Sequence, residues 1–175
     1  MKTNIALTGF MGAGKSTIAL LLAEKLSKQA VELDKLIETS SGKSIADIFS
    51  DEGEDAFRRL EIELAREIAA NDNQVISCGG GIILNRINIT RLKEKSIIVY
   101  LKAAPEVLHN RIINKKIDRP LLKDDNSLQI VKNMMLVRQP LYESTADIII
   151  DTSDMNTKET VELILKRLKD YEGFN

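Results

Sequence analysis

The segment Gly9-Phe10-Met11-Gly12-Ala13-Gly14-Lys15-Ser16 carries glycines, a lysine and a hydroxyl at G-x-x-x-x-G-K-S spacing. Glycines let successive backbone N–H groups turn inward and form a concave anion site. A helix starting directly behind it adds the partial positive charge of its N-terminus. Lys15 is then placed to reach β- and γ-phosphates, and Ser16 to hold Mg2+. The motif follows an apolar run and opens a helical pattern, the context it requires, so it predicts a nucleoside triphosphate site.

Other residues suggest a second ligand. Gly79, Gly80 and Gly81 follow the apolar pair Val75-Ile76. A plain turn needs one glycine or two, so three suggest a close approach to the backbone, although a tight strand-to-helix turn is compatible with the same residues. Asp34 closes the short run Ala30-Val31-Glu32-Leu33. A carboxylate at a strand end can accept a hydrogen bond from an alcohol and orient it for in-line attack, or take its proton. As an N-cap for Lys35-Leu36-Ile37 it would be purely structural. Arg58 and Glu61, three apart on a helical pattern, share a face. Glu61 can hold the Arg58 guanidinium as a fixed fork for a carboxylate, with Phe57 lining the pocket beside it. Arg138 offers a second cation. His109 reads as a helix-surface residue, Cys78 as a small packing group, and Met134-Met135 as core.

Elements must bring these groups together. Asn4–Thr8, 30–33, Gln74–Ser77, 96–101 and 147–151 read as strands. Helical patterns cover Lys15 to about Ser27, 44–49, Glu54 to about 69, 105–113, 127–143 and Thr157 to about Tyr171, the last with Val161, Ile164, Leu165 and Leu168 on one stripe. The alternation predicts a three-layer α/β domain with a mainly parallel sheet, one domain over 1–175. The charged, proline-containing stretch 114–125 fits neither pattern and is read as a surface loop or a lid.

Bulk properties narrow the classes. The chain is 43% hydrophobic and 29% charged, with net charge −1, which excludes a general nucleic-acid footprint. One cysteine excludes an internal disulfide and fits a reducing compartment. No run has the length of a membrane span, and the N-terminus reads as a strand, not a leader. The expectation is a cytoplasmic monomer acting on a small molecule, with no nucleic-acid or membrane partner.

With the glycine loop, Val31-Glu32-Leu33-Asp34, Gly42 to Phe49, Phe57-Arg58-Arg59, the triple glycine, Arg119-Pro120-Leu121-Leu122 and Arg138-Gln139-Pro140-Leu141-Tyr142 in this order, the chain resembles shikimate kinase over its whole length. The resemblance implies a P-loop kinase fold similar to nucleoside monophosphate kinases, with five parallel strands in order 2-3-1-4-5 flanked by helices, a substrate-binding segment at about 32–62 and a lid at about 112–125. It implies transfer of the γ-phosphoryl of ATP to the 3-hydroxyl of shikimate, a step in aromatic amino acid biosynthesis by way of chorismate.

By the same resemblance Gly12, Ala13, Gly14, Lys15, Ser16 and Thr17 hold the nucleotide. Arg111 stacks on adenine, unless it is an exposed helix charge, and Asp151-Thr152 through Asn156-Thr157 resembles the adenine-side loop, with Asn156 as its nucleotide contact. Arg58 and Arg138 clamp the shikimate carboxylate, while Gly79, Gly80 and Gly81 face the ring. Ile45, Phe49 and Phe57 wall the pocket, Glu61 supports Arg58, Asp34 orients the hydroxyl, and Arg119 closes over the phosphates. Mg2+ falls to Ser16 and, through water, to Glu32, where relatives usually carry aspartate; Thr157 stands where many carry proline. Two other readings stay open: a kinase for another small hydroxy acid such as gluconate, and a nucleotide-binding regulator without turnover.

Overall fold

In the computed structural model, residues 2–114, 127–171 and 174 are described. The strands Asn4–Thr8 (β1), Gln29–Glu32 (β2), Gln74–Ser77 (β3), Ser96–Lys102 (β4) and Ile148–Asp151 (β5) form one parallel sheet in the order β2-β3-β1-β4-β5. β1 and β3 are buried throughout, and β4 up to Leu101. Burial along the whole strand suits strands covered on both faces. β5 alternates buried and exposed residues, as an edge strand can.

Helix Lys15–Leu26 (α1) packs on β2 and β3 and meets Thr157–Lys169 (α8), which packs on β5. Arg86–Lys95 (α5) and Ser127–Thr145 (α7) pack on β4. The buried Asn4 amide fixes the register at the far end of the sheet. Its Nδ2 donates to the Asn71 carbonyl at 2.8 Å and its Oδ1 accepts from Gln74 N at 2.9 Å. Among the described residues no helix is long and apolar enough to cross a membrane.

Three details depart from expectation. β2 ends at Glu32, and Leu33 and Asp34 already belong to the helix Leu33–Ser41 (α2). Leu33 and Ile37, four apart, are both fully buried, so the helical face wins over the strand-like run. Asp34 therefore neither ends the strand nor caps the helix. It sits in the first turn of α2, where a carboxylate is favoured by the helix dipole. α5 and a 3-10 turn at Ile82–Leu84 occupy a stretch given no element from sequence; α5 buries only Asn88, Ile89 and Leu92, too thin an apolar stripe to announce itself. The last helix stops at Lys169, and β5 begins at Ile148. The remaining helices, Ile45–Asp51 (α3), Glu54–Ala70 (α4) and Pro105–Asn114 (α6), lie where periodicity put them.

Gly9, the first residue after β1, has φ +146°, and a Cβ there would lie 2.7 Å from the Leu101 carbonyl oxygen. Backbone cannot yield as a side-chain tip can. Gly9→Ala should cost about 3 kcal/mol in urea unfolding, from the strained dihedral plus the clash. Gly42→Ala, at φ +67° with nothing within 4 Å of the added Cβ, should cost about 1 kcal/mol. Equal costs would remove the case for close packing at Gly9.

Candidate active site

Because all strands run parallel, their C-terminal ends share one edge, where open α/β sheets bind ligands. β1 delivers the loop Gly9–Ser16 there, β2 delivers Asp34, β3 delivers Gly79–Gly81, and β5 delivers Thr152.

The loop is shaped for an anion. Gly14 is the N-cap of α1 in a left-handed conformation, so the helix N-terminus faces the concavity. Lys15 Nζ reaches back across the loop, donating to the carbonyls of Gly9 at 2.8 Å and Phe10 at 3.0 Å. Ser16 Oγ donates to Glu32 Oε1 at 2.6 Å and lies 3.4 Å from Ser77 Oγ. This set of hard oxygens beside an anion cradle fits Mg2+, which takes one or two protein oxygens and fills the remainder with phosphate and water.

Behind the loop a cleft of about 290 Å³ is lined by Gly12, Ala13, Gly14, Thr17, Arg111 and Asn156, by Thr152, Met155 and Thr157 of the loop read as adenine-side, and by Ile18 and Thr160, which had no assignment from sequence. Arg111 is fixed there, donating to Thr152 Oγ1 at 3.0 Å and to its carbonyl at 2.6 Å. Asn156 contributes to the wall while its Oδ1 caps α8, completed by Glu159 in a reciprocal capping box.

The other half of the edge is built around α4. Phe57, Glu61, Leu64, Ala65 and Ile68 form its buried stripe, and Glu61 is the one charged member. Its Oε2 accepts from Arg58 Nη1 at 2.9 Å. Glu54, one turn earlier, accepts from Arg58 Nε and Nη2 at 3.1 and 2.9 Å. Glu54 was legible from its i, i+4 spacing but was not assigned. Burial disfavours the Arg58 charge, yet Glu61 and Glu54 outweigh it and hold the guanidinium pKa above its ordinary value. Burial pushes the Glu61 carboxyl up more strongly than Arg58 pulls it down, and Asp34 adds to the rise. Phe57 lies against Phe49 with ring centroids 4.9 Å apart and planes tilted by 33°, and the Arg58 guanidinium lies 5.1 Å from the Phe57 centroid. Ile45 packs on the adjoining core.

The glycine run fits between these side chains. A Cβ on Gly79 would stand 2.6 Å from Asp34 Oδ1 and 3.3 Å from Glu61 Oε1. A Cβ on Gly81 would stand 2.6 Å from Arg58 Nη2 and 2.9 Å from its Cζ. Neither glycine has a positive φ, so an added side chain would meet close approach by side-chain ends, not an unusual dihedral. Gly80 faces the nucleotide loop, its Cβ position 3.6 Å from Met11 N and 3.7 Å from the Gly9 carbonyl. Arg138, on α7, places its guanidinium 5.9 Å from the Phe10 ring centroid, on the loop side.

The structure thus brings Lys15, Ser16 and Glu32 to one cluster and Asp34, Arg58, Glu61, Gly79 and Gly81 to a neighbouring one. Arg119 and most of the stretch read as a lid lie outside the described residues. Cys78 is buried, and burial pushes its thiol up to about 12, which leaves it a packing group. His109 Nε2 lies 2.7 Å from Ser127 Oγ, a contact between α6 and α7.

Comparison with known proteins adds to this geometry. A family model described as shikimate kinase matches residues 11–169. A shikimate kinase of Dehalococcoides mccartyi is 44% identical, over 98% of this chain and 97% of its own. One of Symbiobacterium thermophilum is 38% identical, over 95% and 97%. Among solved structures, the shikimate kinase of Acinetobacter baumannii in complex with shikimate superposes with a TM-score of 0.92 at 34% identity, over 99% of this chain and 96% of its own. A sugar kinase of Janibacter at 19% identity and TM-score 0.66 shares the fold.

Proposed function

The chain belongs to the shikimate kinase family, and from that membership we propose that it transfers the γ-phosphoryl group of ATP to the 3-hydroxyl of shikimate, releasing ADP and shikimate 3-phosphate. Phosphoryl transfer leaves little covalent work for the protein; position and charge do most of it. The loop N–H groups and Lys15 hold the phosphates, and Arg111 with Thr152 and Asn156 frames the base. Ser16 and Glu32 would hold Mg2+, which when bound would offset phosphate charge. The Arg58 fork and Arg138 hold the acid's carboxylate, with Ile45, Phe49 and Phe57 as the pocket wall. Asp34 accepts a hydrogen bond from the 3-hydroxyl and keeps its oxygen in line with the γ-phosphorus. The segment 32–62 supplies most of these acid-side groups.

One observation carries the reading: the Arg58 guanidinium is locked by Glu54 and Glu61 against Gly81, two residues from the glycine that abuts Asp34. A locked fork beside an orienting carboxylate suits a small hydroxy acid with its alcohol presented to a nucleotide. A coupled assay of ADP release should show turnover that needs both ATP and shikimate. Compared by kcat/KM across hydroxy acids, shikimate should exceed gluconate by at least about a hundredfold, a floor well within what a hydrogen-bonding site can reject. ADP release unaffected by any acid would leave only a nucleotide-binding regulator.

A further inference from the structure

Tyr142 lies four residues after Arg138 on α7, one turn away on the same face. It is fully buried, its ring stacked on Tyr100 at 4.9 Å with 12° between planes. Its hydroxyl donates a hydrogen bond to the Gly80 carbonyl. The proline between Arg138 and Tyr142 has no N–H for the Leu136 carbonyl, so the helix ladder lacks one bond over this turn. The bond to Gly80 anchors this turn from outside the helix, and Gly80 is central: Gly79 beside it abuts Asp34, Gly81 beside it abuts Arg58, and its own Cβ position faces Gly9 and Met11.

We propose that Tyr142 is a positioning residue: by holding the Gly80 carbonyl, its hydroxyl ties α7 and Arg138 to the glycine run, and so sets the spacing between Arg138 and Arg58 that a substrate carboxylate meets. The inference rests on the acid-binding reading above, but its mechanical half does not. Tyr142 touches no reacting group; it acts through Gly80 and Arg138. Its neighbour Tyr100 gives the matched control, because the Tyr100 hydroxyl is buried with no hydrogen-bond partner among the described residues.

Tyr142→Phe keeps the ring and the stack and removes the hydroxyl, with its hydrogen bond to Gly80 and its direct interaction with the Arg138 side chain. Two readouts separate the possibilities. Without substrate, hydrogen exchange of the peptide spanning 78–85 should become faster in Tyr142→Phe and stay unchanged in Tyr100→Phe. With substrates, KM for shikimate should rise about tenfold, the scale of one buried acceptor losing its donor, while KM for ATP stays within twofold and Tyr100→Phe behaves as wild type. Unchanged exchange, a shikimate KM within twofold, or equal losses for both substrates would overturn the proposal. Wild-type protein without shikimate-dependent turnover would instead refute the functional reading, and the exchange experiment would still decide the role of Tyr142.

Discussion

Arg58→Ala should lower kcat/KM for shikimate by about a hundredfold or more, the cost of truncating one partner of a hydrogen-bonded charge pair, while KM for ATP stays within about twofold. The asymmetry follows from position. Arg58 touches Glu54, Glu61, Phe57 and the Gly81 backbone, and none of these lines the nucleotide cleft. The loss should fall on KM for the acid more than on kcat, because a carboxylate clamp acts alike in ground and transition states. Equal losses for both substrates would mean that Arg58 supports the fold and not the acid.

The same substitution has a stability signature with a definite sign. Glu61 is buried, its Oε1 has no hydrogen-bond partner among the described residues, and its pKa in the folded chain is already raised by burial. Removing Arg58 takes away the charge that pulls it down, so the folded value rises further. Below the unfolded value of about 4.5 the carboxyl is protonated in both states and contributes no difference. As pH rises past that point the unfolded chain ionises first, and stability is lost until the folded value is passed. Arg58→Ala should therefore be closest to wild type near pH 4 and furthest from it near pH 8. Adding Glu61→Gln should flatten that pH dependence without restoring acid affinity, which separates the two jobs of the pair.

The parts legible in the sequence are those made of near neighbours. The anion loop is one continuous strand-turn-helix segment, and Arg58 with Glu61 is an i, i+3 pair, so spacing alone declares both. The parts that were not legible depend on strand order. Ser16 and Glu32, 16 residues apart, were brought together only by the family resemblance, and Tyr142 meets Gly80 across 62 residues with no signal at all. No local pattern encodes either; they exist because β3 lies between β1 and β2 with α1 packed across β3 and β2, and because α7 packs on β4 and on the turn Ile82–Leu84. The boundary at Asp34 was misplaced for a related reason. Leu33 extends an apolar run as a strand residue would, but the core it fills is reached from the first turn of a helix, where its partner is Ile37. The triple glycine was legible as a demand for close approach. What approaches Gly79 and Gly81 in the structure is the site's own machinery, Asp34 and Arg58, in addition to any ligand.

That distinction yields an order of effects along the run. An alanine methyl at Gly79 would fall 2.6 Å from Asp34 Oδ1, and at Gly81 2.6 Å from Arg58 Nη2. No backbone stands in the way at either place. The fold should therefore accommodate both changes by moving a side-chain end, with melting temperatures within a few degrees of wild type. The displaced ends are Asp34 and Arg58, the proposed orienting carboxylate and clamp, and a shift of about 1 Å in such groups can cost about a hundredfold. Gly79→Ala should thus depress chiefly kcat, in the manner of Asp34→Asn, and Gly81→Ala should chiefly raise KM for shikimate, in the manner of Arg58→Ala. At Gly80 the nearest atoms lie at 3.6–3.8 Å, ordinary contact, so Gly80→Ala should be the mildest of the three. If the run existed only to let a ligand lie on bare backbone, nothing would make the middle position the most tolerant or give its two neighbours different kinetic signatures. Steady-state kinetics on the three alanine variants, read beside their melting curves, decides between these accounts: uniform loss across the run favours the ligand alone, and a mild centre between two unlike flanks favours packing by Asp34 and Arg58.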